Sequence, residues 1–502
     1  MSFDAHQMDI VLLVGAVVML VAILAVRISV RAGLPSLLIY LAMGMALGES
    51  GPGGIRFDDA NVAHALGFAA LVLILAEGGL TTQWSEIRPA MRFGVSLATI
   101  GVTVSVAVMA AGAHYVFGLD WQLAVLLGAV TSPTDAAAVF SVLRRVPLPR
   151  TLTGALEAES GLNDAPTVLL VTLVSTGAAL DHGVLGFLGT VVYELGMGVA
   201  LGLAVGLGGA WVMRRVALPS SGLYPLAVLS LTILAYAGTA GVHASGFAAV
   251  YTAALVLGNS ELPHRAVTRS FSEGVAWLAQ IGLFVMLGLL VTPSRIDGHH
   301  VLLALAAGLL LTFIARPLSV LACAWTHRMP VREQVFMSWA GLRGAVPIVL
   351  STIPLAERVS GAQELFDIVF VMVVAYTLVT GPTLPWVAAR LGVTRRDETR
   401  DLEVEAAPLD RVAADLLQVT INSRSLLHGV EVGELRLPVG ASVSLVVREG
   451  RTLVPEQRTV LKHGDDVLVV TPRKLREATE ERLHAVSTRG RLAHWLDGPA
   501  GP

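Results

Sequence analysis

Residues 121–145, WQLAVLLGAVTSPTDAAAVFSVLRR, place a proline and an aspartate in the middle of an otherwise apolar stretch. Pro133 has no backbone N–H and its ring collides with the preceding turn, so a helix through these residues should break here. A helix broken at the centre of a membrane exposes dipole ends and free backbone groups, which suits ion binding. The alternative interpretation is a proline kink capped by Asp135, although a kink does not need a carboxylate.

The composition places this stretch in a membrane protein. The chain has 502 residues, of which 54% are hydrophobic and 15% charged, and its mean hydropathy is +0.70. A soluble protein of this length carries far more charge. The net charge of −3 gives no indication of nucleic-acid binding, and the single cysteine, Cys323, excludes an internal disulfide.

Thirteen apolar segments are long enough, or nearly so, to cross a bilayer, for which about 20 residues are needed. We predict an all-α polytopic membrane protein with a small α+β domain after it. The segments are 9–30, 35–50, 61–81, 90–115, 121–145, 153–178, 184–213, 223–241, 245–259, 270–291, 300–326, 332–354 and 364–390.

The distribution of arginine between the loops predicts the orientation. Every second loop is arginine-rich and the loops between them carry one arginine at most; the rich loops hold Arg27, Arg31, Arg88, Arg92, Arg144, Arg145, Arg150, Arg214, Arg215, Arg265, Arg269, Arg328 and Arg332. Because basic loops stay in the cytoplasm, we predict an N-terminus outside and a cytoplasmic C-terminal domain, in a bacterial inner membrane.

A second polar motif lies in the sixth segment, Glu159-Ser160-Gly161-Leu162-Asn163-Asp164-Ala165-Pro166. Ser160 and Asp164 are four residues apart and share a helix face. Asp164 lies near the centre of its segment, level with Asp135. Two carboxylates with hydroxyls and free carbonyls form an oxygen cage suited to a hard monovalent cation, and burial favours the protonated carboxylate, so the same atoms can hold a proton.

The twelfth segment is also interrupted, at Gly341-Leu342-Arg343-Gly344-Ala345-Val346-Pro347. Arg343 stays charged and needs a buried anion, for which Glu159 is the candidate. We expect an Arg343–Glu159 pair to be structural and the two aspartates to be functional. The fifth and twelfth segments run in opposite directions, as in inverted-repeat transporters. Glu77 lies toward the cytoplasmic end of the third segment, where it either lines an inner funnel or extends to water.

The composition changes after Arg390. A charged linker precedes short alternating runs at 416–421, 443–447 and 467–470, which predict strands, and a helical pattern at 474–485. This domain is too small for an enzyme core of its own and suits regulation. The predicted organisation is a transmembrane domain at 1–392, a linker at 393–410, a regulatory domain at 411–486 and a disordered tail at 487–502.

Three motifs in order resemble the monovalent cation–proton antiporters, in the sodium/proton-exchanger branch whose members carry an Asn-Asp pair. They are Thr131–Asp135, Glu159–Asp164 and Gly341–Ala345, and Ala76-Glu77-Gly78-Gly79-Leu80 is similar to a third-helix motif of that family. The resemblance covers about residues 9–390.

The resemblance implies a homodimer, each protomer divided into a dimerisation domain and a six-helix core that moves like an elevator. It implies that Asp164 is the shared cation and proton carboxylate. Asp135, Ser160 and the Thr134 backbone would complete the site, and Asn163 would bridge the crossing helices. The Asn163-Asp164 pair resembles the branch that exchanges one cation for one proton.

The tail resembles the C-terminal half of the regulator-of-potassium-conductance domains, called TrkA-C. The residues on which this resemblance rests are Leu427-His428-Gly429, Val446–Gly450, Val454-Pro455 and His463–Leu468. Such modules often dimerise and bind a small ligand, a nucleotide or cyclic dinucleotide. The tail therefore favours potassium as the cation and pH homeostasis as the role, with sodium as the alternative. No cofactor is expected for transport itself, and the chain is not expected to be an enzyme.

Two other classes of protein fit the sequence less well. An intramembrane protease would need a Gly-x-Gly-Asp segment or a serine with a partnered base, and neither pattern is present. A ligand-gated cation channel also carries such tails, but channels usually build filters from repeated loops of symmetric subunits. Thirteen segments with two broken helices favour alternating access instead.

Overall fold

The computed structural model describes residues 5–32, 36–135, 148–177, 183–327, 329–394, 402–409, 414–422, 425–448 and 450–490. The chain divides into two compact units, Met1–Thr394 and Arg395–Pro502. The first is helical and the second contains a β-sheet with one long helix.

The helices of the first unit are numbered in chain order. They are α1 Ala5–Ala32, α2 Ser36–Leu47, α3 Ala60–Thr81, α4 Met91–Tyr115, α5 Trp121–Thr131, α6 Arg150–Ser175, α7 Gly183–Arg215, α8 Leu223–Ala240, α9 Gly246–Gly258, α10 Arg265–Leu290, α11 Gly298–Leu310, α12 Arg316–His327, α13 Val331–Trp339, α14 Ala345–Leu350, α15 Thr352–Ala356 and α16 Ala362–Leu391. Two π-helical turns occur, at Leu97–Gly101 inside α4 and at Leu311–Ala315 between α11 and α12.

Each of the thirteen predicted segments overlaps at least one of these helices. Within the described residues, seven helices are long and apolar enough to cross a membrane, and five shorter apolar helices accompany them. A mostly helical membrane unit is therefore confirmed, whereas the count of thirteen crossings and the inverted repeat stay predictions.

The helices of this unit pack in two groups. The scaffold, as we call it, comprises α1, α2, α3 and α7 to α10; the core comprises α4, α5, α6 and α11 to α16. Contacts between the groups run chiefly from α6, α14 and α15 to α3, α9 and α10. The polar motifs of the sequence all lie on core helices or on the connections between them, except for Glu77 on α3.

Both predicted breaks occur near the expected residues. α5 ends at Thr131, two residues before Pro133, and residues 132–135 are not helical; its continuation lies outside the described residues. α13 ends at Trp339 and α14 begins at Ala345, with an extended connection between them. At the end of α5 the side chains of Thr131 and Ser132 donate hydrogen bonds back to the Leu127 and Gly128 carbonyls, both at 2.6 Å, so each of these buried hydroxyls has an acceptor.

The second unit contains an antiparallel sheet. Its strands are β1 Leu402–Leu409, β2 Ala414–Ile421, β3 Ser442–Arg448, β4 Arg451–Leu453 and β5 Asp466–Pro472, and its helix is α17 Arg476–Arg489. The order of the strands in the described residues is β1-β2-β5-β3-β4. Alternate residues of β2 and β5, such as Leu417, Val419 and Val469, pack in a core that Leu483 and Val486 of α17 share.

Three strands and the helix lie where the alternating runs predicted them, but two boundaries were wrong. Residues 402–409 of the predicted linker 393–410 form β1, which pairs with β2 along its whole length. The charged side chains of this segment suggested a linker, yet an edge strand tolerates charge because one side of it has no neighbouring strand. The predicted disordered tail began at 487, whereas α17 runs to Arg489; residues 491–502 lie outside the described residues.

Candidate functional site

The two non-helical connections of the core cross and bond to each other. The Asp135 N–H donates to the Leu342 carbonyl at 3.0 Å. In return, one Asp135 carboxylate oxygen accepts a hydrogen bond from the Ala345 N–H at 2.9 Å, at the first residue of α14. A carboxylate at this position interacts favourably with the positive end of the helix dipole. Asp135 thus connects the end of α5 to the start of α14.

Gly344 makes this contact possible. A Cβ atom at Gly344 would lie 2.0 Å from the Asp135 Oδ2 atom and 2.7 Å from its carboxyl carbon. Any side chain at residue 344 would therefore displace the carboxylate from the α14 N-terminus. This close approach explains why the second glycine of the Gly341–Ala345 motif, Gly344, is a glycine.

Arg343 closes the opposite, negative ends of the broken helices. Its guanidinium donates to the Thr131 carbonyl at 3.1 Å, to the Ser132 carbonyl at 3.3 Å and to the Gly341 carbonyl. These carbonyls follow or end α5 and α13, where the helix dipoles are negative. Arg343 is buried, with 7% of its surface exposed. The expected pairing of Arg343 with Glu159 is wrong, because Glu159 forms its ion pair with Arg316 and the Arg343 guanidinium donates to neutral carbonyl groups instead.

Glu159 is paired with Arg316. One nitrogen of Arg316 donates to Glu159 Oε2 at 2.8 Å and a second bonds to Oε1, and the two side chains are only 4% and 2% exposed. The pair joins α6 to α12. The sequence analysis did not predict a role for Arg316. This arginine lies in an apolar stretch, between Leu310–Ala315 and Pro317-Leu318. An arginine at such depth was the signal that would have found it.

Thr134, Ser160 and Asn163 form a buried polar cluster beside the crossing. The hydroxyls of Thr134 and Ser160 lie 3.0 Å apart. The Asn163 side-chain amide donates to the Thr134 hydroxyl at 2.9 Å. All three residues are at most 1% exposed. Three of the predicted site residues therefore meet in the structure. Asn163 and Ser160 of α6 both contact the side-chain hydroxyl of Thr134, which lies in the non-helical segment after α5.

Asp164 stands next to this cluster with an uncommitted carboxylate. Its Oδ1 atom is buried and has no hydrogen-bond partner among the described residues. Asp135 is close enough for the two carboxylates to interact electrostatically. A buried carboxylate oxygen without a donor is an unfavourable arrangement unless a proton or a cation joins it. Together with the hydroxyls of Thr134 and Ser160, Asp164 offers the oxygen atoms that a hard monovalent cation prefers.

Glu77 is on α3 of the scaffold, and its side chain is partly exposed. It has a partner of its own. Its place in an inner funnel stays a prediction.

The TrkA-C-like motifs of the tail also meet in space. The imidazole rings of His428 and His463 stack with centroids 4.0 Å apart and planes inclined by 4°. Asp465 is fully buried and accepts two hydrogen bonds of 2.7 Å from Arg448 and one of 2.8 Å from the Lys462 N–H. Burial by itself would raise the pKa of the Asp465 carboxyl, but the bonds from Arg448 and Lys462 outweigh it and hold the pKa below its usual value.

Residues 16–390 match the family described as sodium/hydrogen exchanger, transmembrane, and residues 416–484 match the TrkA-C domain. The chain belongs to the sodium/hydrogen exchanger family. The relatives of this exchanger include the K(+)/H(+) antiporter NhaP of Alkalimonas amylolytica, which is 36% identical over 473 residues, 93% of this chain and 82% of the relative. The K(+)/H(+) antiporter NhaP2 of Shewanella sp. (strain ANA-3) is 35% identical over 495 residues, 95% of this chain and 83% of the relative.

A more distant relative of this exchanger is the Na(+)/H(+) antiporter ApNhaP of Aphanothece halophytica, 27% identical over 368 residues and covering 68% of each chain. Among solved structures, the sodium proton antiporter MjNhaP1 from Methanocaldococcus jannaschii at pH 8 superposes with a TM-score of 0.64 at 20% identity. The match covers 76% of this exchanger and 99% of that chain. At this identity the likeness shows the fold of the membrane unit.

Proposed function

We propose that this chain is a secondary active antiporter that exchanges a monovalent cation, with potassium favoured, for protons. The observation that carries the proposal is the buried Asp164 oxygen that has no hydrogen-bond partner among the described residues, beside the Thr134 and Ser160 hydroxyls. This group accepts either a proton or a cation. One site that holds the two alternately is sufficient for exchange.

The roles of the site residues follow from their contacts. Asp164 carries the cation or the proton, and Ser160 and Thr134 add oxygen ligands. Asp135 lends negative charge while its second function is to cap α14. Asn163 holds the Thr134 hydroxyl, Glu159 is neutralised by Arg316, and Arg343 closes the two helix ends.

Alternating access by an elevator movement accords with the separate packing of core and scaffold. Asp164, Ser160, Thr134 and Asp135 all lie in the core, so a displacement of the core as a body would carry these four residues together from one side of the membrane to the other. Asn163 is uncharged, and Asp164 alone changes its occupant. We therefore propose that one cation is exchanged for one proton, so that transport is electroneutral.

Potassium is proposed as the cation because the relatives that align over nearly the whole chain are named K(+)/H(+) antiporters. Sodium is the second candidate, favoured by the more distant Na(+)/H(+) antiporter. We further propose an inner-membrane homodimer with its N-terminus outside, a transmembrane domain at 1–392 and a tail domain that includes β1 to α17. The TrkA-C domain would be cytoplasmic and would bind a small regulatory ligand. A ligand-gated channel is the alternative from another class.

The experiment uses the purified full-length chain in liposomes that contain a trapped pH-sensitive dye. Potassium and then sodium are added outside with the membrane potential clamped at zero. Asp164→Asn is measured in parallel, since it keeps the size of the side chain and removes its charge. A change of internal pH that follows the cation gradient and disappears in Asp164→Asn supports the proposal.

Two further arms separate the alternatives. A measurable current under the same ion gradients, without coupled proton movement, would identify a channel. The chain truncated after Arg396 should still exchange but respond differently to regulation. Exchange by a folded Asp164→Asn variant at the rate of the unchanged protein would refute the assigned site.

A further inference from the structure

A buried tyrosine of the scaffold faces the candidate ion site across the boundary between the two groups of helices. Tyr251 lies in α9 and is only 4% exposed. Its ring packs against Gly161 of α6 so closely that a Cβ atom there would lie 2.4 Å from Cζ and 2.5 Å from the hydroxyl oxygen. The phenol end of the side chain, rather than its stem, therefore touches α6.

The place of contact is next to the site. Gly161 follows Ser160 directly and precedes Asp164 by three residues, so it lies on the face of α6 that carries Asp164. The carboxylates of Glu157 and Asp164 both interact electrostatically with the Tyr251 phenol. Tyr251 thus stands on the scaffold side of the same space into which the core presents its carboxylate.

The Tyr251 hydroxyl has no hydrogen bond to any described residue. Thr82 at the end of α3 is near it, and the Thr82 hydroxyl gives its own hydrogen to the Gly78 carbonyl at 2.6 Å. Burying a hydroxyl without a partner costs free energy that phenylalanine would avoid at the same volume. The hydroxyl at this position therefore points to a ligand that the chain itself does not provide.

Two buried groups without a hydrogen bond among the described residues therefore lie on helices that contact each other, the Tyr251 hydroxyl on α9 and the Asp164 Oδ1 atom on α6. A hydroxyl can donate its hydrogen to a carboxylate and at the same time present a lone pair to a cation. We propose that Tyr251 completes the oxygen shell of the transported cation from the scaffold side, as a specificity-determining residue. The inference rests on the proposed function, because the cation is the one that Asp164 exchanges.

A shell shared between core and scaffold has a mechanical consequence. The ligands on Asp164, Ser160 and Thr134 travel with the core, whereas the Tyr251 hydroxyl stays with the scaffold. Displacement of the core then removes one ligand from the cation, so that affinity is higher in the conformation described here than in the opposite one. The protein would bind the cation on one side and release it more readily on the other.

The test is Tyr251→Phe in the full-length chain, which keeps the ring against Gly161 and removes only the hydroxyl. The matched control is Tyr40→Phe: Tyr40 is a fully buried tyrosine of scaffold helix α2, its hydroxyl also lacks a hydrogen bond among the described residues, and α2 packs on α1 and α10. Initial rates are measured in liposomes against potassium and sodium concentration. Loss of one hydroxyl ligand should raise the apparent KM for the cation about five- to tenfold, with the maximal rate not reduced, while Tyr40→Phe stays within about twofold.

A second readout does not depend on transport. Potassium and sodium should raise the thermal unfolding midpoint of the detergent-purified protein, and Tyr251→Phe should need a cation concentration about five- to tenfold higher for the same rise. If the unchanged protein exchanges and Tyr251→Phe has the same KM, the inference is overturned and the proposed function stays intact. If the unchanged protein exchanges nothing, the proposed function fails; the inference then stands or falls with the shift in cation-dependent stabilisation.

Discussion

Arg316 and Glu159 form a bidentate ion pair that is almost completely shielded from solvent, with their side chains 4% and 2% exposed. The pair fastens α12 to α6 directly above the run of residues that carries Ser160, Asn163 and Asp164. Arg316 stays charged at ordinary pH. Its buried charge therefore depends on the Glu159 carboxylate, and the carboxylate depends on Arg316.

Removing one partner of this pair should be costly. Arg316→Met leaves the Glu159 carboxylate buried without its cation, and we expect a loss of about 3–5 kcal/mol of stability. Removing both charges, in Arg316→Met with Glu159→Gln, should cost less than the sum of the single changes, because no unpaired charge remains. Thermal unfolding of the detergent-purified variants measures this.

The exposed pair Arg56–Glu49, whose side chains are 81% and 54% exposed at 3.0 Å, provides the control. Arg56→Met should change stability by at most about 1 kcal/mol. A stability of Arg316→Met equal to that of Arg56→Met would contradict the role given to the buried pair.

Gly344→Ala should disable the crossing without changing any charge. The new methyl group would meet the Asp135 carboxylate at 2.0 Å and separate it from the Ala345 N–H. We expect exchange to fall by at least about tenfold, the effect of losing roughly 1.4 kcal/mol from a charged hydrogen bond. Initial rates in liposomes are the measurement. Gly238→Ala in α8, where a Cβ would meet nothing within 4 Å, is the control; equal rates for the two variants would show that the close approach is unimportant.

Gly161→Ala should separate α6 from α9, because the added methyl group would lie within 2.4–2.6 Å of the Tyr251 ring and hydroxyl. We expect a lower unfolding temperature and slower exchange. Tyr251→Ala in the same chain should restore part of the stability, since it removes the ring that the methyl group meets. A double variant no more stable than Gly161→Ala would indicate that the methyl group disturbs something other than Tyr251.

The tail should lose stability in acid at Asp465. The pKa of this carboxyl is held below its usual value by Arg448 and the Lys462 N–H, against the effect of burial. The stabilisation is therefore complete above the unfolded pKa of about 4 and is lost as the pH falls through the lower folded pKa. Asp465→Asn should destabilise the tail by about 1.5–3 kcal/mol at pH 7, and the difference from the unchanged protein should shrink below about pH 4.

Hydrogen–deuterium exchange of the β2, β3 and β5 amides in the full-length chain measures this loss. Glu480→Gln is the control, because Glu480 is partly exposed and pairs with Arg476 one turn away. A difference between Asp465→Asn and the unchanged protein that stays constant from pH 7 to pH 3 would rule out the carboxylate as its source.

The sequence predicted the helical segments, both breaks and the tail strands because these depend on local features. Apolar length, Pro133 and alternating burial each act over a few residues of the chain. The partner of Glu159 depends instead on which helices become neighbours. Arg316 and Arg343 are both arginines in apolar surroundings, and only the packing of α12 against α6 decides between them.

Tyr251 and β1 were missed for different reasons. Tyr251 is one aromatic residue in an apolar helix, and its importance arises from Gly161, 90 residues earlier in the sequence. β1 begins with a short alternation of Leu402 and Val404 with Glu403 and Glu405, and the charged residues around it made the segment look like a linker; in the structure it pairs with β2 along its whole length. The role of Tyr251 depends on a long-range contact that no local pattern predicts, whereas β1 carried a local signal that the surrounding charge obscured.

The engagement of Asp135 with the Ala345 N–H has a consequence for cellular energetics. With Asp135 bound to the protein's own backbone and Asn163 uncharged, Asp164 is the one carboxylate of the cluster left to change its cargo, a single elementary charge per cycle. On the proposed function the membrane voltage then performs no work on the exchange. At equilibrium the cation ratio across the membrane follows the proton ratio alone, about tenfold for each pH unit, and a cell that collapses its voltage keeps this exchange running.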